Sequence, residues 1–163
     1  MMRIYNVLFL CTGNSARSIM AEAILNHKGK PTFRAYSAGS HASGFVRSGA
    51  LKQIIFARMS VEGLRSKNWD EFAKPGAPVM DFVFTVCDNA AKESCPIWPG
   101  QPMTTHWGVP DPATAEGTCE EIDRAYRDAF VTLDRRVSLL LSLPIASLNK
   151  LAIQREVDQI GRQ

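Results

Sequence analysis

A cysteine and an arginine separated by five residues are the first feature of this sequence that suggests chemistry. Cys11 ends an apolar run, and Arg17 follows it across a polar loop. A tight loop between a strand and a helix can turn several backbone N–H groups toward one anion, and the helix N-terminus adds positive potential. The guanidinium of Arg17 can bind two oxygens of that anion at once. The predicted oxyanion-binding residues are Thr12, Gly13, Asn14, Ser15, Ala16, Arg17 and Ser18.

Cys11 is the candidate nucleophile of this loop. A thiolate is stabilised by a helix N-terminus and by a nearby cation, so we expect the loop to lower the pKa of Cys11. Gly13 is expected to permit an unusual turn, and Asn14 to hold the loop through side-chain hydrogen bonds in a left-handed conformation. The alternative is a buried cysteine at a strand end, beside a solvated arginine. The sequence of strand, loop and helix favours the catalytic interpretation.

The pattern of apolar residues predicts alternating strands and helices. Strands are predicted at 4–10, a compact apolar run, at 81–86, which is rich in β-branched and aromatic residues, and at the shorter segments 33–37 and 103–106. Helical patterns and the capping-box pair Thr118 and Glu121 predict helices at 16–27, 48–59 and about 118–143. Such alternation is typical of an α/β fold, a three-layer sandwich with a mostly parallel sheet.

Three residues with reactive side chains follow predicted strands. Cys11, Cys87 and Asp111 each lie just beyond a strand, although they are far apart in the sequence. Ligands of open parallel sheets bind beyond the carboxyl ends of the strands. We therefore expect these three side chains to meet on one rim of the sheet.

The overall composition is that of a globular protein with reduced thiols. The 163 residues are expected to form a single domain, 1–163, with a weakly helical C-terminal tail from about residue 144. The 19 basic and 16 acidic residues are too balanced to favour nucleic-acid binding. Neither a signal peptide nor a membrane span is recognisable, and four cysteines in such a chain indicate free thiols in the cytoplasm. No membrane association is expected, and a monomer is expected.

Several motifs together resemble one known family. They are Val7 to Ser18, Met20 to Ala23, Ser37 to Gly39, and Asp111 with Pro112. These motifs resemble the low-molecular-weight protein tyrosine phosphatase superfamily, over roughly residues 4 to 143. The resemblance implies a four-stranded parallel sheet flanked by helices. It also implies that Cys11 is the nucleophile, Arg17 the oxyanion clamp and Asp111 the general acid.

A second group of motifs resembles the arsenate reductase branch of that superfamily. They are Thr85 to Asp88, Cys95 to Pro99, and His106 to Gly108. This resemblance implies a disulfide relay through Cys11, Cys87 and Cys95 that reduces arsenate to arsenite. It implies no bound cofactor, and an external reductant that is either thioredoxin or a glutaredoxin/glutathione system. The spacing between Cys87 and Cys95 is one residue longer than in the best-known members of the branch.

Two other functions remain open at this point. Hydrolysis of phosphate monoesters through a phosphocysteine is the first, because phosphatases and reductases share the loop. Tyrosine phosphatases of the family place aromatic residues directly after the Asp-Pro pair, whereas Ala113 and Thr114 follow Pro112 here. A catalytically silent oxyanion-binding module is the second. In every case phosphate and sulfate are expected to compete for the loop.

Metal sites receive little support from the sequence. A zinc site made of Cys87, Cys95 and His106 lacks the usual Cys-x2-Cys spacing. The resemblance implies a monovalent-cation site at Asn14, Glu22 and Ser37; the alternative for Glu22 is an exposed helix residue. Cys119 is interpreted as a structural residue, and Trp107 as a packing residue.

Overall fold

The sheet has the predicted parallel arrangement. The computed structural model describes residues 3–92 and 96–163. Its strands are β1 (Tyr5–Leu10), β2 (Phe33–Ala38), β3 (Phe82–Thr85) and β4 (Met103–His106). They form a four-stranded sheet in the order β2-β1-β3-β4, and every neighbouring pair is parallel. The predicted α/β fold with a four-stranded parallel sheet is confirmed.

Helices connect the strands and cover the sheet. They are α1 (Arg17–Lys28), α2 (Ser48–Phe56), α3 (Asp88–Lys92), α4 (Cys119–Leu141) and α5 (Lys150–Ile160). The capping box predicted for α4 is present: Thr118 accepts a hydrogen bond from the backbone of Glu121, and the Glu121 carboxylate accepts one from the backbone of Thr118. None of the helices in the described part of the chain is long and apolar enough to cross a membrane.

Strand β1 is buried on both of its faces. Val7 and Phe9 lie in a large apolar cluster with residues of α1 and α4. Leu8 and Leu10 lie in a second cluster that contains Phe72 and Trp98. A central parallel strand with covered faces is continuously apolar, which explains the unbroken run that precedes Cys11.

The strand ends fix where the loops begin. Leu10, the last residue of β1, pairs with Ala38 of β2 and with Thr85 of β3. Thr85 pairs in turn with His106, the last residue of β4. All four strands therefore end at one level, and the segments that follow them start side by side.

Two predictions about local structure are wrong. Helix α2 ends at Phe56, before the predicted Met59, because Arg58 adopts a positive φ of 61° that a right-handed helix excludes. The segment after Cys87, predicted to be irregular, forms the short helix α3. Trp107 is a packing residue as predicted; it is fully buried and stacks on Phe84 with 4.2 Å between the ring centroids.

The C-terminal tail packs against the loop that leads to Asp111. Ile153, Val157 and Ile160 of α5 are buried. The indole N–H of Trp107 donates a hydrogen bond to the carbonyl oxygen of Val157 at 3.0 Å. Helix α5 thus holds the end of β4 from outside.

Candidate active site

The rim of the sheet brings the predicted reactive residues together. The thiols of Cys11 and Cys87 share a hydrogen bond. Arg17 donates to the carbonyl oxygen of Val109 at 2.9 Å, and its guanidinium lies 3.5 Å from the carboxylate of Asp111. One arginine therefore bridges the loop after β1 and the segment after β4.

Asn14 fixes the shape of the loop. It is fully buried and has a positive φ of 46°, the left-handed conformation expected from the sequence. Its amide group donates to the hydroxyls of Ser18, at 2.8 Å, and Ser37, at 3.0 Å. Its side-chain oxygen accepts a hydrogen bond from the backbone of Lys67 at 2.9 Å. This single side chain ties the loop to α1, to β2 and to the segment around residue 67.

Three backbone carbonyl groups of the oxyanion loop accept hydrogen bonds on the outer side of the loop. Backbone N–H groups in the segment 41–47 donate to the carbonyl oxygens of Thr12, Gly13 and Ser15 at 2.8–2.9 Å. An anion site must keep carbonyl oxygens away from its ligand, since they would repel it. The segment 41–47 therefore supports the polarity that an oxyanion site needs.

The glycine that the loop requires is Gly39 rather than Gly13. The φ of Gly13 is not positive, and a Cβ atom there would meet only the hydroxyl of Ser15, at 3.6 Å. A Cβ atom at Gly39 would overlap the carbonyl oxygens of Cys11 and Thr12. The special backbone turn expected at Gly13 is therefore located at Asn14, while Gly39 allows β2 to pass closely behind the loop.

The thiols of Cys11 and Cys87 form a coupled pair in which the negative charge is favoured on Cys87. The hydrogen bond from Cys11 lowers the pKa of Cys87 from 9.0 to about 5, and backbone N–H groups of Ala90 and Thr12 support the Cys87 thiolate at 3.4 and 3.3 Å. The hydrogen bond to Cys87 and burial raise the pKa of Cys11, although the charge of Arg17 opposes them. The expected lowering of the Cys11 pKa is therefore wrong for the resting pair, because the partner thiol holds the negative charge.

Asp111 lies at the entrance of the site. Its carboxylate accepts a hydrogen bond from the backbone of Ala113 at 3.0 Å and so caps the short 3-10 helix Pro112–Thr114. The side chain is 37% exposed, in contrast to 13% for Arg17. A carboxyl group in this place can contact both a bound oxyanion and water.

A cleft of about 730 Å³ opens beside Cys87 and Arg17. Its lining residues come from the start of α1, the segment after β3, the end of β4 with the segment that follows it, and the C-terminal end: Arg17, Cys87, Asp88, Asn89, His106, Gly108, Val109, Pro110, Asp111, Thr114 and Gly161. Within the described part of the chain, phenylalanine, tyrosine and tryptophan are absent from this lining. The cleft thus offers no aromatic wall for a phenyl ring, as the residues after Pro112 predict.

The implied monovalent-cation site already contains a positive charge. Asn14, Glu22 and Ser37 do lie together, but the ammonium group of Lys67 lies among them. It donates to the carbonyl oxygens of Ser37 and Arg65, both at 2.8 Å, and lies 3.7 Å from the Glu22 carboxylate. A second cation there would be repelled, so these residues do not fit one. The alternative interpretation of Glu22, an exposed helix residue, is wrong, since its side chain is 13% exposed.

The inward position of Lys67 and the packing role of Gly39, which belongs to the motif Ser37 to Gly39, are the features of the site that sequence reasoning missed. Lys67 belongs to a polar stretch with no recognisable motif. Only the fold shows that its side chain turns inward, behind the loop. The close approach at Gly39 likewise depends on how β2 passes the loop, which no local pattern encodes.

His106 and Cys119 are the remaining predicted residues that the structure describes. Cys95 lies outside the described residues. Among the described ones, no three His, Cys, Asp or Glu side chains are grouped to hold a metal ion. The ring nitrogens of His106 contact Asp88 at 2.9 Å and Thr85 at 2.8 Å. Cys119 is exposed at the start of α4, so it does not pack in the core as a structural role would require.

Comparisons with known proteins agree with this geometry. The sequence model of the low molecular weight phosphotyrosine protein phosphatase family matches residues 6–153. An arsenate reductase of Shouchella clausii is 39% identical over 115 residues, which cover 71% of this chain and 79% of the relative. That of Halalkalibacterium halodurans is 36% identical over 131 residues, covering 80% and 91%. The crystal structure of arsenate reductase from Archaeoglobus fulgidus is 27% identical, with a TM-score of 0.66 over 84% of this chain and 99% of the other.

Proposed function

Because this chain belongs to the low molecular weight phosphotyrosine protein phosphatase family, we propose that it acts as an arsenate reductase that converts arsenate to arsenite. The contact between the Cys11 and Cys87 thiols supports this proposal most strongly. Hydrolysis of a phosphate ester uses one thiolate and water, and has no use for a second thiol. Reduction of arsenic(V) to arsenic(III) takes two electrons, which two thiols supply when they form a disulfide.

In the first step the loop binds arsenate and Cys11 attacks it. Backbone N–H groups and Arg17 hold the oxyanion. Cys11 passes its proton to Cys87 through their hydrogen bond and becomes the nucleophile. A sulfur–arsenic bond forms and an arsenic–oxygen bond breaks. The departing oxygen accepts a proton from Asp111 and leaves as water.

In the second step Cys87 attacks the sulfur of Cys11. It first loses its proton to solvent, and the backbone N–H groups of Thr12 and Ala90 stabilise the thiolate that results. The sulfur–sulfur bond forms while the electron pair of the sulfur–arsenic bond moves to arsenic. Arsenite then leaves, and a disulfide joins Cys11 to Cys87.

Burial of the two thiols explains the need for a third. Cys11 is 5% exposed and Cys87 is 3% exposed, so an external protein reductant cannot reach a disulfide between them. Attack by Cys95 on Cys87 would free Cys11 and move the disulfide outward. Thioredoxin or a glutaredoxin/glutathione system then restores the thiols, and the cytoplasm is the compartment that provides either one.

Phosphate monoester hydrolysis is the second candidate function. The family match and the shared loop, Arg17 and Asp111 favour it. The absence of phenylalanine, tyrosine and tryptophan from the described lining of the cleft disfavours phosphotyrosine as the substrate.

One paired assay tests the proposal. Fully reduced protein is given arsenate without any reductant, and arsenite and lost thiols are counted after one turnover. We expect one arsenite and two lost thiols for each chain, and repeated turnover when thioredoxin or glutaredoxin with glutathione is added. Hydrolysis of p-nitrophenyl phosphate without any arsenite formation would show that the chain is a phosphatase instead.

A further inference from the structure

Lys67 carries a charge into the interior of the protein. The residue is only 8% exposed, although lysine is almost never buried unless it is paired. Its ammonium donates to the carbonyl oxygens of Ser37 and Arg65 and to the hydroxyl of Ser37. With the Glu22 carboxylate at 3.7 Å, the ammonium is surrounded by oxygen atoms.

The surroundings of Lys67 lead directly to the oxyanion loop. Ser37 donates its hydroxyl proton to the Glu22 carboxylate at 2.5 Å. The same hydroxyl accepts a hydrogen bond from the amide of Asn14 at 3.0 Å. Asn14 therefore donates to Ser37, and Ser37 donates to Glu22. Both hydrogen bonds have this direction because an ionised Glu22 carboxylate can only accept.

The charge of Lys67 favours the ionised form of that carboxylate. Burial raises the pKa of Glu22, and the positive charge of Lys67 opposes this rise. A buried carboxylate that has lost its cation favours the protonated form. A protonated Glu22 can donate a hydrogen bond to Ser37. The Ser37 hydroxyl would then no longer need to donate its proton to Glu22.

We infer that the ammonium of Lys67 is a built-in cation that holds the oxyanion loop in its binding shape, so that the chain needs no external monovalent cation. Lys67 is a positioning residue: it acts on the bound oxyanion through Ser37 and Asn14 and does not touch it. The backbone N–H of Lys67, which donates to Asn14, reinforces the same contact from the other side. The inference rests on the proposed binding of an oxyanion by the loop.

Cation dependence of the unmodified protein is the first test. The dissociation constant for inorganic phosphate is measured in potassium, sodium and choline chloride at equal ionic strength. We expect the three values to agree within about twofold, the scale of incidental surface effects. A roughly tenfold or larger gain in affinity that potassium gives and choline does not would overturn the inference, because the site would then be using an external cation.

Two variants separate the charge of Lys67 from its packing. Lys67→Met keeps the apolar stem and removes the ammonium; we expect it to bind phosphate roughly tenfold more weakly or worse, the scale of a lost charge-assisted hydrogen bond. The exposed Lys74→Met is the matched control and should stay within about twofold of the unmodified protein. If Lys67→Met bound phosphate with the same dissociation constant as the unmodified protein, the ammonium group would not be positioning the oxyanion loop.

Rescue by a small cation distinguishes positioning from general stability. Lys67→Ala leaves space beside Glu22, and potassium or methylammonium should restore its phosphate affinity, whereas Lys67→Ala combined with Glu22→Gln should not recover. Failure of both cations to restore a folded Lys67→Ala protein would overturn the inference. If the unmodified protein bound no phosphate in any salt, the proposed function itself would fail, an outcome distinct from the others.

Discussion

The thiols of Cys11 and Cys87 are joined by a hydrogen bond, although the two residues leave different strands of the sheet. The contact arises because β1 and β3 are neighbours and end at the same level. It lowers the pKa of Cys87 to about 5 and raises the pKa of Cys11, so near neutral pH we expect one proton to be shared by the two thiols, with the negative charge favoured on Cys87. Two thiols held in this way can act as nucleophile and as electron donor at one bound oxyanion.

Cys87→Ser should separate the two candidate activities. Arsenate reduction should be abolished, because no second thiol remains to attack the Cys11 sulfur. Hydrolysis of p-nitrophenyl phosphate should persist, since Cys11, Arg17 and Asp111 are unchanged. The measurement is arsenite formation and nitrophenol release from the same preparation, with the exposed Cys119→Ser as the control. Normal arsenate reduction by Cys87→Ser would refute the reductase mechanism.

The shared proton also predicts how stability depends on pH. Between about pH 5, the pKa of Cys87, and 9.0, the usual value, the folded pair holds one proton and the unfolded pair holds two. Stability therefore rises with pH in this window. Above pH 9.0 the two thiols of the unfolded chain lose their protons, while Cys11 of the folded protein keeps its own. The contribution of the thiol pair to the free energy of unfolding therefore falls again. The free energy of unfolding is measured by urea unfolding across this pH range, for the reduced unmodified protein and for Cys87→Ser. Only the unmodified protein should show the additional rise and fall of the free energy of unfolding.

Asp111→Asn should slow the chemical step and spare binding. The general acid is expected to contribute roughly 10²–10⁴-fold to the rate. Arg17 keeps its hydrogen bond to the carbonyl oxygen of Val109, so the oxyanion loop should retain its shape. Single-turnover rates with arsenate and dissociation constants for phosphate measure the two effects separately. An unchanged single-turnover rate would remove Asp111 from the mechanism.

Local signals in the sequence located the loop, the strands and the capping box. Cys11, Arg17 and Asn14 lie where the strand, loop and helix pattern predicts them, since that pattern depends on neighbouring residues. The position of Lys67 and the approach of Gly39 depend on packing between distant segments. The sequence does place Cys11 and Cys87 on one rim, but the direct hydrogen bond between their thiols, which raises the pKa of Cys11, depends on side-chain packing that no local pattern encodes.

Arg136 should stabilise the segment that carries the acid. Its buried guanidinium donates to the carbonyl oxygens of Gly108 and Gln163, at 2.9 and 3.0 Å. Arg136→Leu should lower the free energy of unfolding by about 2–4 kcal/mol, through the loss of two hydrogen bonds from a charged group. The exposed neighbour Arg135→Leu should change it by less than about 0.5 kcal/mol. Equal urea midpoints for the two variants would show that these hydrogen bonds contribute nothing measurable.

Cys95→Ser should allow one turnover and prevent the next. The disulfide between Cys11 and Cys87 can still form, because both thiols and their supporting N–H groups remain. Their burial then shields this disulfide from thioredoxin and from glutaredoxin, so the enzyme should stop after a single arsenite. Peptide mapping should find Cys11 joined to Cys87 in the variant, and Cys87 joined to Cys95 in the unmodified protein. Sustained turnover by Cys95→Ser would show that the reductant reaches the buried disulfide directly, and the relay would then end at Cys87.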